Sequence, residues 1–319
     1  MDSKRYLCIM QVCLKCIQES WIYRDYQRMH FKTNELSLVT NFKIMELFQK
    51  KTRLLYYLNL TNDKYEKITS NISNHYYDFK QPKKNKRGKI VGSRTISAPT
   101  NELKKIQYLI HKLLEYHITF PEYFFGGIKK KSNIKNAKVH KGKKYHFVTD
   151  IKNCFPSISS EMVYSSIRNL RFSDDICRII TKLTTVDGHL PQGTPTSMIL
   201  NNLSMLKLGK DLEIFCKMNQ IVLTIFVDDI TFSSQYDFRN KTFELIDIII
   251  SHNFNISKEK TTYKENKVKI TGVTVRQNTI KPTSDQIHNY YKKSTKVQRK
   301  TGLKNYFRTV SKENSTKQK

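Results

Sequence analysis

Leu223-Thr224-Ile225-Phe226-Val227-Asp228-Asp229-Ile230-Thr231-Phe232-Ser233 is the stretch that decides the fold. Two runs of β-branched and aromatic residues, Leu223 to Val227 and Ile230 to Ser233, are separated only by Asp228-Asp229, which reads as a β-hairpin. Two acids at a hairpin tip are ordinarily a solvated turn. Here Leu223, Ile225 and Val227 precede them and Ile230 and Phe232 follow, so the tip rises from a well-packed sheet. Adjacent carboxylates repel unless a cation sits between them. A second apolar run, Tyr145 to Ile151, carries Asp150 near its C-terminal end. If the two runs are neighbouring strands, three carboxylates converge at one sheet edge. Hard oxygen ligands with open positions suit Mg²⁺, and two such ions about 4 Å apart form a clamp for in-line phosphoryl transfer. Spacing alone leaves the solvated turn and the metal–carboxylate site as alternatives.

Working outward, Leu103, Ile106, Leu109, Ile110, Leu113 and Leu114 fall on one face of a helix beginning near Thr100. Ser159 or Ser160 can cap a helix with Glu161 in its first turn, and Ser173-Asp174-Asp175 starts another that runs to about Leu183. Pro191-Gln192-Gly193 is a turn, after which Thr194 can cap a long helix with Pro195 at its first position. A helix fits Phe238 to Asn253, and Val268 to Val275 reads as a last strand interrupted by Gly272. Strands and helices alternate without a Gly-rich dinucleotide or phosphate-loop signature. The class is therefore α+β and not a nucleotide-binding doubly wound sheet.

The charge points to a partner. Against 27 Asp and Glu stand 57 Lys and Arg, a net charge of +30. Such self-repulsion calls for a polyanion, and nucleic acid is the default. The positive charge is clustered. Lys80 to Arg94 holds seven basic residues and Lys129 to Lys144 eight, neither with an acid, and Lys281 to Lys319 holds eleven against two acids. One such run is ordinarily a solvated face, whereas three flanking one segment suit a groove that tracks a phosphate backbone. No apolar run is long enough to span a bilayer. Tyr6 to Ile17 is short and carries Lys15, unlike a secretory signal. The 6 Cys are scattered, which fits a reducing cytoplasm. Cys13 and Cys16, in what reads as an N-terminal helical extension, lack the four ligands a zinc site needs.

The combination of motifs carries a resemblance. Val148-Thr149-Asp150-Ile151-Lys152-Asn153-Cys154-Phe155-Pro156-Ser157-Ile158, then Leu190-Pro191-Gln192-Gly193-Thr194-Pro195-Thr196-Ser197, then Phe226-Val227-Asp228-Asp229 resemble the successive palm motifs of reverse transcriptases. Arg94-Thr95-Ile96-Ser97-Ala98-Pro99 looks like the fingers motif of their bacterial branch. Asn136-Ala137-Lys138-Val139-His140 matches an Asn-Ala-x-x-His signature of retron-type enzymes, and Ile270-Thr271-Gly272 is close to their Val-Thr-Gly. The hairpin differs, reading Phe-Val-Asp-Asp where retron enzymes more often have Tyr-Ala-Asp-Asp. The defence-associated reverse transcriptases share the same palm.

The resemblance implies an α+β right-hand polymerase. It would have an N-terminal helical extension over residues 1–30, fingers over 31–144, a palm over 145–275 and a short thumb with a basic tail over 276–319. It implies an RNA-directed DNA polymerase that copies a partner structured non-coding RNA into DNA in antiphage defence. Its cofactor would be two Mg²⁺ ions, with Mn²⁺ as a substitute. Deoxynucleotides, the DNA product and an effector protein from the same locus would be further partners. Asp150, Asp228 and Asp229 would be catalytic. Asp150, Asp228 and the carbonyl of Ile151 would hold metal. Arg94 would grip the triphosphate, Gln192 and Gly193 would line the incoming nucleotide, and Phe155 would exclude a 2′-OH. Lys260 resembles a lysine that protonates or pairs with pyrophosphate, although Lys258 is an equal candidate by spacing. Asn136 and His140, with Lys129, Lys130 and Lys131, would dock the RNA. An RNA-directed RNA polymerase and a non-catalytic RNA-binding module are the alternatives. Phe155 speaks against the first and the three intact acids against the second.

Overall fold

β-Branched and aromatic side chains pack well on a pleated surface, and the runs around Asp150 and Asp228 are built of them. The computed structural model describes residues 50–84, 90–292 and 296–315. The extension expected over 1–30, with Cys13 and Cys16, lies outside the described residues. In chain order, α1 (Lys51–Tyr57) and α2 (Asn62–Ser70) precede the antiparallel pair β1 (Tyr76–Lys84) and β2 (Ile90–Pro99). Then come α3 (Asn101–His117), α4 (Asn133–Val139) and β3 (Tyr145–Asp150). A one-turn helix, α5 (Cys154–Ser157), leads to α6 (Ser160–Arg168) and α7 (Asp174–Thr184). Next are α8 (Ser197–Ser204), α9 (Leu206–Met218), β4 (Val222–Phe226), β5 (Asp229–Ser234) and α10 (Thr242–Ser251). The chain continues through β6 (Thr262–Glu265), β7 (Lys267–Ile270), β8 (Val273–Arg276) and β9 (Ile280–Pro282) to α11 (Ser284–Tyr291) and α12 (Val297–Ser315).

The central sheet has the order β4-β5-β3-β6 with every pair antiparallel. Its register sets Asp150 opposite Asp229. The free edge of β4 is covered: Phe125 N–H donates to Ile225 O at 2.8 Å and Ile225 N–H to Tyr123 O at 2.7 Å. The apolar stripe of α3 is buried as its spacing requires, and Gln107 within it donates to Tyr76 Oη and to Leu183 O. That one amide ties α3 to β1 and α7. A second core lies in the three-stranded sheet β7-β8-β9, where Val268, Ile270, Val273, Val275 and Ile280 pack with Ile134 and Ala137 of α4 and Val310 of α12. Among the described residues no helix is long and apolar enough to cross a membrane.

Four local expectations are corrected. The hairpin turn is Val227-Asp228, not Asp228-Asp229, because Phe226 pairs with Asp229 and makes Asp229 the first residue of β5. The expected strand over Val268 to Val275 is the hairpin β7–β8, since Thr271 (φ +42°) and Gly272 (φ +82°) reverse the chain. The long helix after Thr194 begins at Ser197 and is divided at Met205 into α8 and α9. Thr194 Oγ1 nonetheless accepts the Ser197 N–H. The helix expected over 238–253 is shorter, because Arg239–Lys241 forms a 3₁₀ turn before α10.

Candidate active site

The end of β3 is pinned from two sides. Ile151 N–H donates to Asp228 O at 2.8 Å, joining the strand end to the hairpin turn. Ser257 N–H donates to Asp150 O at 2.8 Å, and Lys152 N–H to Asn255 O at 2.7 Å. These bonds bring Asp150, Asp228 and Asp229 together, with one ligand oxygen of each lying within 4.8 Å of the others. The Asp150 carboxylate is nearly buried. Its Oδ1 accepts from Ser257 Oγ at 2.8 Å, and Lys260 Nζ lies 2.7 Å from both oxygens. Spacing gave Lys258 and Lys260 equal standing; the 3₁₀ turn Lys258–Lys260 brings Lys260 onto Asp150 and leaves Lys258 exposed. Ser257 was not foreseen, and no signal in the sequence distinguishes it from other serines.

The electrostatics follow from crowding. Burial, then the charges of Asp228 and Asp150, push the Asp229 carboxyl up to about 7. Asp228 is raised too, by burial and then by Asp150, with Lys260 partly offsetting. Burial pulls the Lys260 ammonium down, but its hydrogen bond to Asp150 and the charges of Asp150, Asp228 and Asp229 outweigh that and hold it above the usual range. The donor set is therefore all oxygen, mutually repulsive and stabilised by positive charge, which fits a hard divalent cation. Beside it, burial and the charges of Asp228 and Asp150 raise the Cys154 thiol, leaving it unreactive.

Of the residues expected at the nucleotide side, Arg94, Gln192 and Gly193 fall on two joined segments. Arg94 is exposed on β2, and its Nε donates to Gln81 Oε1 at 2.7 Å. Three residues on, Ser97 N–H donates to Gln192 O at 3.0 Å. Gly193 has φ +110°, and a Cβ there would stand 2.6 Å from Ile96 Cγ2. A glycine is required for both reasons. Phe155 is half-buried on α5, after Asn153 in the left-handed region at φ +51°.

The expected RNA contacts are corrected for three residues. His140 is wholly buried, with Nδ1 2.7 Å from Ser233 Oγ and Nε2 2.7 Å from Thr224 Oγ1. It bridges β4 and β5 from inside the protein. Asn136 is also buried and donates from Nδ2 to Thr271 Oγ1 at 3.3 Å. Both residues are committed to the fold and present no surface to RNA. Lys131 is committed as well, to Glu122 and to the face of Phe125, 4.8 Å from the ring centre. Lys129 and Lys130 are exposed, Lys129 with an ion pair to Glu115 at 3.0 Å.

A family model described as reverse transcriptase (RNA-dependent DNA polymerase) matches residues 81–275, more than half of the chain. The chain is 30% identical over 240 residues to the Retron Se72 reverse transcriptase of Salmonella heidelberg (strain 579083-10), covering 72% of this chain and 62% of that protein. It is 28% identical over 201 residues to the Retron Ec86 reverse transcriptase of Escherichia coli, covering 61% and 62%. The match thus spans less than two thirds of the length of either relative. Among solved structures it is similar to telomerase from Candida albicans in complex with a telomeric RNA fragment, with a TM-score of 0.47 and 12% identity over 79% of this chain and 58% of that one. From the extent of the family match and the identity to several retron enzymes, the chain belongs to the reverse transcriptase family, in its retron-type branch.

Proposed function

We propose that the chain is an RNA-directed DNA polymerase that copies a partner structured non-coding RNA into DNA, in antiphage defence. The observation that carries the reading is the convergence of Asp150, Asp228 and Asp229 at one sheet edge. The proposed division is fingers over 31–144, palm over 145–275 and a short thumb over 276–319. An effector protein from the same locus is a further proposed partner.

In this reading Asp150, Asp228 and the Ile151 carbonyl hold two Mg²⁺ ions, with Asp229 supporting them. When bound, the ions lower the pKa of the primer 3′-OH and offset charge on the leaving pyrophosphate. The chain's own residues do the rest. The planar guanidinium of Arg94 pairs with triphosphate oxygens. Gln192 and Gly193 line the nucleotide through backbone that no larger residue could bring so close. The Phe155 ring occupies the space a 2′-OH would need. Lys260, which pairs with Asp150, would supply positive charge to the pyrophosphate. The test is to purify the protein from its native locus and sequence the bound nucleic acid after separate RNase and DNase treatment. A single RNA species with DNA complementary to it is expected, and protein free of any nucleic acid, or bearing RNA with no complementary DNA, would contradict the reading.

A further inference from the structure

A β-branched residue in the left-handed region is strained and persists only where its surroundings hold it there. Val227 is such a residue, with φ +61°, in the turn that carries Asp228. The surroundings that hold it come from α8. Asn202, 1% exposed, donates from Nδ2 to the Gly126 carbonyl at 2.7 Å. Gly126 lies directly against the turn: a Cβ there would stand 2.6 Å from both Val227 Cγ2 and Val227 N. Its neighbours Tyr123 and Phe125 are bonded to Ile225 in β4, so the segment cannot drift along the strand. The preceding helix residue, Asn201, is fully buried. Its Nδ2 lies 3.5 Å from Val227 O and its Oδ1 accepts from Cys154 Sγ at 3.0 Å. Consecutive residues of one helix thus reach the Val227 peptide itself and the Gly126 peptide packed on it.

We propose that Asn202 and Gly126 are positioning residues for the acidic turn. Asn202 holds the Gly126 peptide against Val227, which keeps Val227 left-handed and sets the Asp228 carboxylate beside that of Asp150. Asn201 steadies the same turn from its carbonyl. The inference rests on the metal–carboxylate reading given above. Asn202→Asp keeps the side-chain shape but sets an acceptor against the Gly126 carbonyl, and a buried acceptor without its donor is costly. Gly126→Ala crowds the turn directly.

The experiment is Mn²⁺ binding to the full chain, followed by electron paramagnetic resonance without nucleic acid or nucleotide, with circular dichroism to confirm folding. Ile180→Val, a truncation of a fully buried residue in α7, serves as the packing control. Asn202→Asp and Gly126→Ala should each raise the half-saturating Mn²⁺ concentration about tenfold, equivalent to about 1.4 kcal/mol, while Ile180→Val leaves it unchanged. Asn202→Ser, which keeps a donor, should fall between and carries the prediction if Asn202→Asp does not fold. In primer extension the Mg²⁺ requirement should rise by the same factor, and saturating Mg²⁺ should restore the rate. Folded variants that bind Mn²⁺ as the wild type does would overturn the positioning role alone. A wild-type protein that binds no Mn²⁺ would overturn the metal–carboxylate reading and the inference with it.

Discussion

Gly193 stands at φ +110° with an Ile96 methyl packed where a Cβ would be, so even alanine must strain the turn and push the Ile96 side chain aside. Gly193→Ala should therefore lower kcat/KM for deoxynucleotides by about tenfold or more, equivalent to at least ~1.4 kcal/mol, while leaving RNA affinity unchanged. Steady-state extension at varied nucleotide concentration measures it, and unaltered kinetics would show that this approach does not matter. Phe155→Ala should raise the efficiency ratio of a ribonucleotide over its deoxy counterpart by about tenfold, since the ring rejects a 2′-OH by collision. A wild type that accepts both sugars equally would favour an RNA-making enzyme. The acids were legible in the sequence through the motifs around them, since spacing alone left a solvated turn open. Which lysine meets them was not, because two lysines two residues apart differ only in the direction a 3₁₀ turn gives them. Ser257 was illegible for a similar reason: its bond to Asp150 spans |i−j| of 107 along the chain.

At the level of elements, α4 and the hairpin β4–β5 are joined by a buried imidazole. Burial, then the charges of His146 and Lys143, push His140 down to about 3. In the unfolded chain it titrates near its ordinary value, about 6.5. The folded state thus excludes a proton that the unfolded state binds between those values. The stability is fully present above about pH 6.5 and is lost as pH falls toward 3, by up to about 1.4 kcal/mol per pH unit for one group. Burial depresses His117 and His146 in the same direction. Urea unfolding between pH 7 and 5 should show the loss, and His140→Gln should flatten the slope by about one proton; an unchanged slope would mean that His140 is not the group responsible. The sequence showed β3, β4 and β5 but misassigned this residue. A histidine in a lysine-rich run looks like a nucleic-acid contact, and only the fold shows that Ser233 and Thr224 enclose it. The strand expected over Val268 to Val275 failed differently, because β-branched residues on both sides of Thr271-Gly272 hide a two-residue turn.

Across the whole molecule, a net charge of +30 sets the terms of binding. Affinity for RNA should fall linearly on a log–log plot against salt, steepening by roughly 0.7 for each phosphate neutralised on a single strand. Lys129→Ala with Lys130→Ala should lessen that slope. Lys131→Ala should chiefly cost stability, since its ammonium is engaged by Glu122 and Phe125. A flat slope in an RNA titration would mean that the charge serves another partner. The charge excess and the polymerase motifs were readable without the fold. The convergence of the three acids was not, because it depends on strand register and on bonds between distant segments. Whether these acids make DNA on an RNA template is decided by primer extension on one RNA template with deoxynucleotides and Mg²⁺. Wild type and Asp228→Asn are compared, with RNA binding measured on the same preparations. Extension by the wild type is expected, with a loss of about a thousandfold or more in the variant, equivalent to at least ~4 kcal/mol, and equal RNA binding by both. Near wild-type product from Asp228→Asn, or no deoxynucleotide incorporation by the wild type, would contradict it.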